Sequence, residues 1–146
     1  MAHPSVIKAN ALVFIDTAAM VALVDEGDSL SSPATALMTQ CHLSKVHFFT
    51  TDFVIAEFLN FLCSVSFRQR AIGFSDVLRE SDRVEIIPID EPLFEAAYEF
   101  YRKRPDKGWS FTDCASFIVM KDRQIELAFT SDKHFEQAGF KKLLDA

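Results

Sequence analysis

Residues 12–17 read LVFIDT, four apolar residues followed directly by an acid, Asp16, and a hydroxyl. A short apolar run of this kind predicts a buried strand, and residues 17–24 predict a helix that stops at the polar sequence DEGD. A buried strand followed by a helix indicates the start of a βαβ unit. Ligands bind outside the carboxyl ends of strands in open α/β sheets, so Asp16 stands where a functional group is expected.

The alternation of strands and helices continues along the chain. Further strands are predicted at residues 46–50, 84–89, 127–130 and 140–144, and further helices at about 33–43, from 52 onward, and at 68–80, 91–103 and 113–123. Their expected N-caps are Ser32, Thr51 or Asp52, Asp90 and Thr112. This order predicts an α/β fold with three layers, in which helices cover both faces of a central, mostly parallel sheet.

The chain has 146 residues, of which 49% are hydrophobic and 25% charged. These values fit one globular domain, because single domains usually run to about 100–200 residues. We expect residues 1–10 to be an N-terminal extension that need not be ordered, and residues 11–146 to be the domain. No linker or internal repeat divides it.

Charge and cysteine content exclude several classes of protein. A formal net charge of −6 argues against non-specific nucleic-acid binding, which depends on Lys and Arg at phosphates. The cysteines, Cys41, Cys63 and Cys114, are odd in number and lack metal-ligand spacing, so each is expected to be a buried thiol. No signal-peptide layout or membrane-length apolar run occurs, which predicts a cytoplasmic protein.

Four acids occupy informative positions. Asp16 and Asp132 follow predicted strands, Asp113 opens a predicted helix, and Glu57 interrupts the apolar run VIAEFL. Each also has a purely structural interpretation. The aspartates can cap helices or favour their N-termini, and Glu57 can belong to a polar edge shared with Asn60 and Ser64.

Together the four acids suggest a different role. Asp16 and Asp132 should emerge on the same sheet edge, and Glu57 and Asp113 can reach it if their helices border the same crevice. Converging carboxylates repel one another unless a cation compensates them. Mg²⁺ or Mn²⁺ prefers such oxygen ligands, and it can activate a water for phosphodiester hydrolysis.

Four segments resemble the acidic motifs of the PIN-domain nuclease family. They are FIDT at residues 14–17, DFVIAE at 52–57, SFTDC at 110–114 and AFTSDKHF at 128–135. Their order and spacing are similar to the family's from residue 11 to about 144. The segment from Thr130 to Phe140 is most similar to toxin ribonucleases of the VapC type. The resemblance makes residues 11–146 a PIN-like nuclease domain.

The resemblance implies a Mg²⁺- or Mn²⁺-dependent endoribonuclease that cleaves RNA with a metal-activated water. Asp16, Glu57 and Asp113 would form the main metal site, with Asp132 assisting. Thr17, Asn60 and Thr112 are candidates to orient these acids, although Thr17 and Thr112 can equally serve as helix caps. His134 is interpreted as a surface or packing histidine.

An acidic protein needs local basic groups to hold RNA. Lys103, Arg104 and Lys107 cluster before Trp109 and lead toward Asp113, so they are candidate RNA contacts, with the Trp109 ring stacking on a base. The alternative is a solvated helix end with cations near its C-terminus.

Partners are also implied by the resemblance. VapC-type proteins usually form homodimers and are inhibited by an antitoxin, so both are expected here, and no membrane is. Residues 30–71, rich in Phe and Leu, could form a groove for an antitoxin helix or simply part of the core. Two other functions remain open: a PIN-like module that only binds RNA or a partner, and a receiver-like signalling domain, which needs a second acid beside Asp16.

Overall fold

The computed structural model describes residues 7–145. Its strands are β1 (Leu12–Ile15), β2 (His47–Thr51), β3 (Val84–Ile87), β4 (Leu127–Phe129) and β5 (Lys141–Lys142). Its helices are α1 (Thr17–Val24), α2 (Ser31–Leu43), α3 (Asp52–Phe61), α4 (Val65–Glu80), α5 (Glu91–Arg102), α6 (Phe111–Asp122) and α7 (Lys133–Gln137). The predicted α/β fold is confirmed. Residues 1–6 of the expected N-terminal extension lie outside the described residues.

The strands form a single sheet with the order β3-β2-β1-β4-β5, and every neighbouring pair is parallel. The chain builds outward from β1 on one side through β2 and β3, and then returns to the other side of β1 with β4. This reversal between β1 and β4 is a topological switch point, where a crevice opens beyond the strand ends. In the register of this pair, Ile15 lies opposite Phe129.

The central strand is covered on both of its faces. Val13, Phe14 and Ile15 are all completely buried. Because successive strand residues point to opposite faces, helices must pack on both sides of the sheet, which is the predicted three-layer arrangement. Within residues 7–145, none of the helices has both the length and the apolar character needed to cross a bilayer.

Several predicted elements differ in their bounds. β5 covers only Lys141–Lys142 rather than residues 140–144, and α4 begins at Val65 rather than at residue 68. β3 ends at Ile87 rather than at residue 89, because Pro88 has no N–H to continue the ladder. Helix α2 begins at Ser31, so Ser32 is not its N-cap as predicted. The Asp28 carboxylate accepts from the Leu30 amide at 2.9 Å and forms the turn that leads into this helix.

The helix that contains Glu57 ends earlier than predicted. Helix α3 ends at Phe61, and Ser64 stands at the N-cap of α4, so Ser64 does not share a helix face with Glu57. The end of α3 reaches the surface, where Phe61 is 69% exposed.

The N-cap of α6 is Ser110, not Thr112 as predicted. The Ser110 hydroxyl accepts from the Asp113 amide at 3.0 Å, and the Asp113 carboxylate accepts from the Ser110 amide at 3.1 Å. This reciprocal capping box satisfies two helix-end donors at once, which a cap at Thr112 would not do.

The cysteines divide into two kinds. Cys41 and Cys114 are buried as predicted, and burial raises their thiol pKa values to about 12 and about 11, so both stay protonated. Cys63 is exposed, contrary to the prediction, because it lies in the short connection between α3 and α4.

Two glycines should respond to the same substitution with opposite signs. Gly139 has φ +96°, a conformation that strains an L-residue, so Gly139→Ala should lower the free energy of unfolding by about 1 kcal/mol. Gly73 lies on the exposed side of α4 with open space around its Cβ position, so Gly73→Ala should raise it by about 0.5–1 kcal/mol. Urea denaturation of both variants measures the difference, and changes of equal sign would contradict this account of the two backbones.

Candidate active site

The structure brings the four predicted acids to one place. Asp16, Glu57, Asp113 and Asp132 all line an open cavity of about 760 Å³. The cavity lies beyond the carboxyl ends of β1 and β4, at the switch point of the sheet, where α/β folds place their ligands.

The pairing of β1 with β4 positions two of these acids. The Asp16 amide donates to the Phe129 carbonyl at 3.2 Å, which aligns the ends of the two strands. The Thr130 hydroxyl then donates to Oδ2 of Asp16 at 3.1 Å and accepts from the Asp132 amide at 3.0 Å. One buried threonine therefore fixes both the side chain of Asp16 and the backbone of Asp132.

Glu57 enters the cavity from the side of α3. The Thr51 hydroxyl accepts from the Val54 amide at 3.1 Å and so defines where this helix begins. The Thr17 hydroxyl donates to Oε1 of Glu57 at 2.5 Å. Thr17 thus contacts one of the acids directly.

Two other predicted orienting residues lie elsewhere. Asn60 is exposed and does not line the cavity. Thr112 is also absent from the cavity wall, and its carbonyl accepts from the Ser116 hydroxyl inside α6. In the described conformation neither side chain hydrogen-bonds to the four acids.

Burial makes the negative charge of the cavity costly. Burial raises the pKa of Asp16 from its ordinary 3.8 to about 7, and the neighbouring charges of Asp113 and Glu57 add to the increase. Hydrogen bonds from the Thr17 backbone and the Thr130 side chain oppose it. Burial likewise raises the pKa of Asp113, and the negative charge of Asp132 adds to this increase. Hydrogen bonds from His134 and Ser110 lower the pKa of Asp113.

The chemistry of the donors fits a divalent cation. Carboxylate oxygens are the ligands that Mg²⁺ and Mn²⁺ prefer, and a positive ion would offset both the burial of these negative charges and their mutual repulsion. In each of the carboxylates of Glu57, Asp113 and Asp132, one oxygen accepts hydrogen bonds from the protein. The other oxygen accepts none from residues 7–145. The cavity therefore combines excess negative charge with free oxygen ligands.

His134 lies inside this cavity, contrary to its interpretation as a surface or packing residue. Its Nδ1 is 3.0 Å from Oδ2 of Asp113 and 3.5 Å from Oδ1 of Asp132. Potential ligand atoms of these three residues lie within 4.8 Å of one another. Its spacing of two residues from Asp132 was the available signal. Asp28 also lines the cavity, although its sequence context indicated only a helix stop.

The predicted role of Trp109 in stacking on a base is wrong for this conformation. The ring is only 6% exposed, and its Nε1 donates to Oε1 of Gln137 at 3.0 Å. It stacks on Phe100 and packs edge-on against Phe117, so both contacts belong to the core.

The predicted basic residues do lie at the surface. Lys103, Arg104 and Lys107 are exposed. Arg104 and Lys107 line a second cavity of about 550 Å³ together with Tyr101, whose side chain is 49% exposed. Gly108 and Ser110 line both this cavity and the acidic one, so the two adjoin. Of the two aromatic residues that line this second cavity, Tyr101 is exposed and Trp109 is buried.

Comparison with known proteins connects this geometry to a family. The model of the PIN domain matches residues 13–141. The 23S rRNA-specific endonuclease VapC20 of Mycobacterium tuberculosis is 29% identical over 132 residues, which cover 88% of this chain and 95% of the relative. The crystal structure of VapC20, described as a sarcin-ricin loop cleaving toxin, is similar with a TM-score of 0.78 and 28% identity over 88% and 95% of the two chains.

A more distant solved structure has the same fold. VapBC2 from Rickettsia felis, bound to a DNA fragment from its promoter, matches with a TM-score of 0.65 and 12% identity. The match covers 90% of this chain and 96% of that chain. At this level of identity the likeness concerns the fold alone.

The raised pKa of Asp16 predicts a pH-dependent stability. The folded, metal-free protein retains a proton up to about pH 7 that the unfolded chain releases near pH 4, so its free energy of unfolding should fall as pH rises through this window. Asp16→Asn cannot ionise and should flatten that fall, stabilising the metal-free protein at pH 8 by roughly 2–4 kcal/mol.

Denaturation in the presence of a chelator, from pH 4 to pH 8, measures this dependence. Asp122→Asn, an exposed position at the end of α6, is the matched control and should keep the wild-type pH dependence. If the pH dependence of Asp16→Asn runs parallel to that of the wild type, the raised pKa of Asp16 is contradicted.

Proposed function

The chain belongs to the PIN-domain family, and from this we propose that it is a divalent-metal-dependent endoribonuclease, the toxin of a toxin–antitoxin pair. The observation that carries the proposal is the convergence of four carboxylates in one cavity at the sheet's switch point. The similarity to VapC20, named as a 23S rRNA-specific endonuclease, supports RNA as the substrate.

The residues of the cavity would have two roles: some would hold the ion, and others position the acids. Asp16, Glu57 and Asp113 would hold Mg²⁺ or Mn²⁺, and Asp132 would assist. A bound ion would activate water and stabilise the charge that develops on the phosphate. Thr130 and Thr17 hold their acids by hydrogen bonds, so that the carboxylates are arranged before the ion and substrate arrive.

RNA would reach the acidic cavity across the adjoining second cavity, which Arg104 and Lys107 line. Lys103, Arg104 and Lys107 would contact backbone phosphates next to the scissile one, and the exposed ring of Tyr101 offers a surface for an unpaired base. This arrangement overcomes the overall charge of −6, because attraction is needed only along the path of the substrate.

An antitoxin and a second copy of the chain are the proposed protein partners. The similarity to VapC20, which is described as a toxin, supports an antitoxin, because a cell that makes a toxin must also inhibit it. Within the predicted region of residues 30–71, Met38 and His42 of α2 line an apolar cavity of about 450 Å³ with Phe74 and Val77 of α4. An antitoxin helix could occupy this groove. The proposed pair would act in the cytoplasm.

Two alternative functions were predicted for this fold: a receiver-like signalling domain and a non-catalytic PIN-like module. The family match replaces the receiver-like hypothesis. A non-catalytic PIN-like module remains the second candidate, and it would bind RNA in the same cavity without cutting it.

A cleavage assay separates the two candidates. The purified protein should cut 23S rRNA with Mg²⁺ or Mn²⁺, and chelation should abolish the reaction. Asp113→Asn should reduce the rate at least about 100-fold, because it removes charge from the proposed ion site. Asp122→Asn, the same change at the exposed end of the same helix, should leave the rate unchanged. RNA binding without any metal-dependent cleavage would favour the non-catalytic module.

The basic residues should determine how RNA binding depends on salt. In an Asp113→Asn background, replacing Lys103, Arg104 and Lys107 by Gln should weaken binding and reduce the slope of log K against log salt by about 2, if each cation contacts one phosphate of a single strand. A control variant removes the same charge at the exposed residues Lys8, Arg79 and Lys141. Equal slopes for both variants would remove the predicted contacts.

A further inference from the structure

His134 lies between two acids of the cavity. The residue belongs to the first turn of α7, and its own amide donates to Oδ1 of Asp132 at 2.9 Å. Its ring nitrogen Nδ1 lies 3.0 Å from Oδ2 of Asp113 and 3.5 Å from the same Asp132 oxygen. A single side chain thus connects the end of β4 with the start of α6.

The chemistry of the carboxylates fixes the direction of this contact. Both aspartates must be ionised when they hold a cation, and an ionised carboxylate only accepts hydrogen bonds. Nδ1 must then carry a proton and donate a hydrogen bond to Oδ2 of Asp113. Oδ2 of Asp113 already accepts from the Ser110 amide, so the imidazole and the capping box fix the same oxygen from two directions.

We propose that His134 is a positioning residue, whose Nδ1–H holds Oδ2 of Asp113 so that Oδ1 remains directed to the ion. The inference rests on the proposed metal-dependent function. Without this donor, the Ser110 amide would be the one remaining hydrogen-bond donor to the Asp113 carboxylate among residues 7–145, and the repulsion between Asp113 and Asp132 would be less well compensated. The competing role is that of a direct ligand, which would need a nitrogen lone pair on the ion rather than a proton on the carboxylate.

Three substitutions distinguish these roles. The side-chain amide nitrogen of asparagine occupies nearly the position of histidine Nδ1, whereas that of glutamine corresponds to Nε2. His134→Asn should therefore keep Mn²⁺ affinity within about threefold of the wild type. His134→Ala and His134→Gln should weaken it about 10- to 100-fold, the usual effect of removing a partner that orients a metal ligand.

Titration calorimetry with Mn²⁺ alone measures affinity without RNA, and melting of the metal-free variants verifies that each one folds. Lys133→Ala, an exposed neighbour, is the control. Wild-type affinity in His134→Ala would overturn the proposal. So would an affinity of His134→Asn as low as that of His134→Ala, because only a ligand role requires the imidazole itself.

Imidazole ¹⁵N spectra of the wild-type protein provide an independent test. We expect a proton on Nδ1 of His134 in the ion-bound protein, measured with diamagnetic Mg²⁺ in place of Mn²⁺. An unprotonated Nδ1 in that sample would overturn the assignment. Failure of the proposed function looks different. In that case the wild type binds Mn²⁺ with the expected order of variants but does not cleave RNA. A wild type that binds no ion would overturn both the proposed function and the role of His134.

Discussion

The burial of negative charge at the carboxyl end of β1, increased by repulsion between neighbouring carboxylates, is the constraint to which the rest of the site responds. Asp16 is almost fully buried and lies near two other acids, which is unfavourable for an isolated chain in water. Donors from separate parts of the sequence reduce this cost: the hydroxyls of Thr130 and Thr17, the amide of Ser110 and the ring of His134. The protein thus retains a high density of negative charge that a cation can use.

These donors make the site dependent on the exact pairing of the sheet. Thr130 reaches Asp16 only because Ile15 lies opposite Phe129 in the β1–β4 register. A shift by one residue would turn the Thr130 side chain to the other face and leave Asp16 without its donor. The same register places Asp132 in the cavity. The packing of the core and the arrangement of the acids therefore depend on one set of backbone hydrogen bonds.

Features that depend on strand topology could be predicted from the sequence, whereas contacts between distant elements could not. Asp16 and Asp132 could be placed together because parallel strands end at one edge of a sheet. His134 was missed because its contact with Asp113 depends on how α7 meets α6, which spacing within one segment does not reveal. Trp109 was misassigned because the partners that bury it, Phe100 and Gln137, are separated from it along the chain.

The two borders of the sheet discourage growth by strand addition. β5 has only two residues, both lysines, and Lys142 lies 3.6 Å from Glu136. At the opposite border, Glu85 of β3 pairs with Arg123 at 2.8 Å. Short, charged borders are poor templates for another chain's backbone. Any self-assembly of this protein is therefore directed to its helical surfaces, and a continuous intermolecular sheet, the route to fibrous aggregates, is disfavoured.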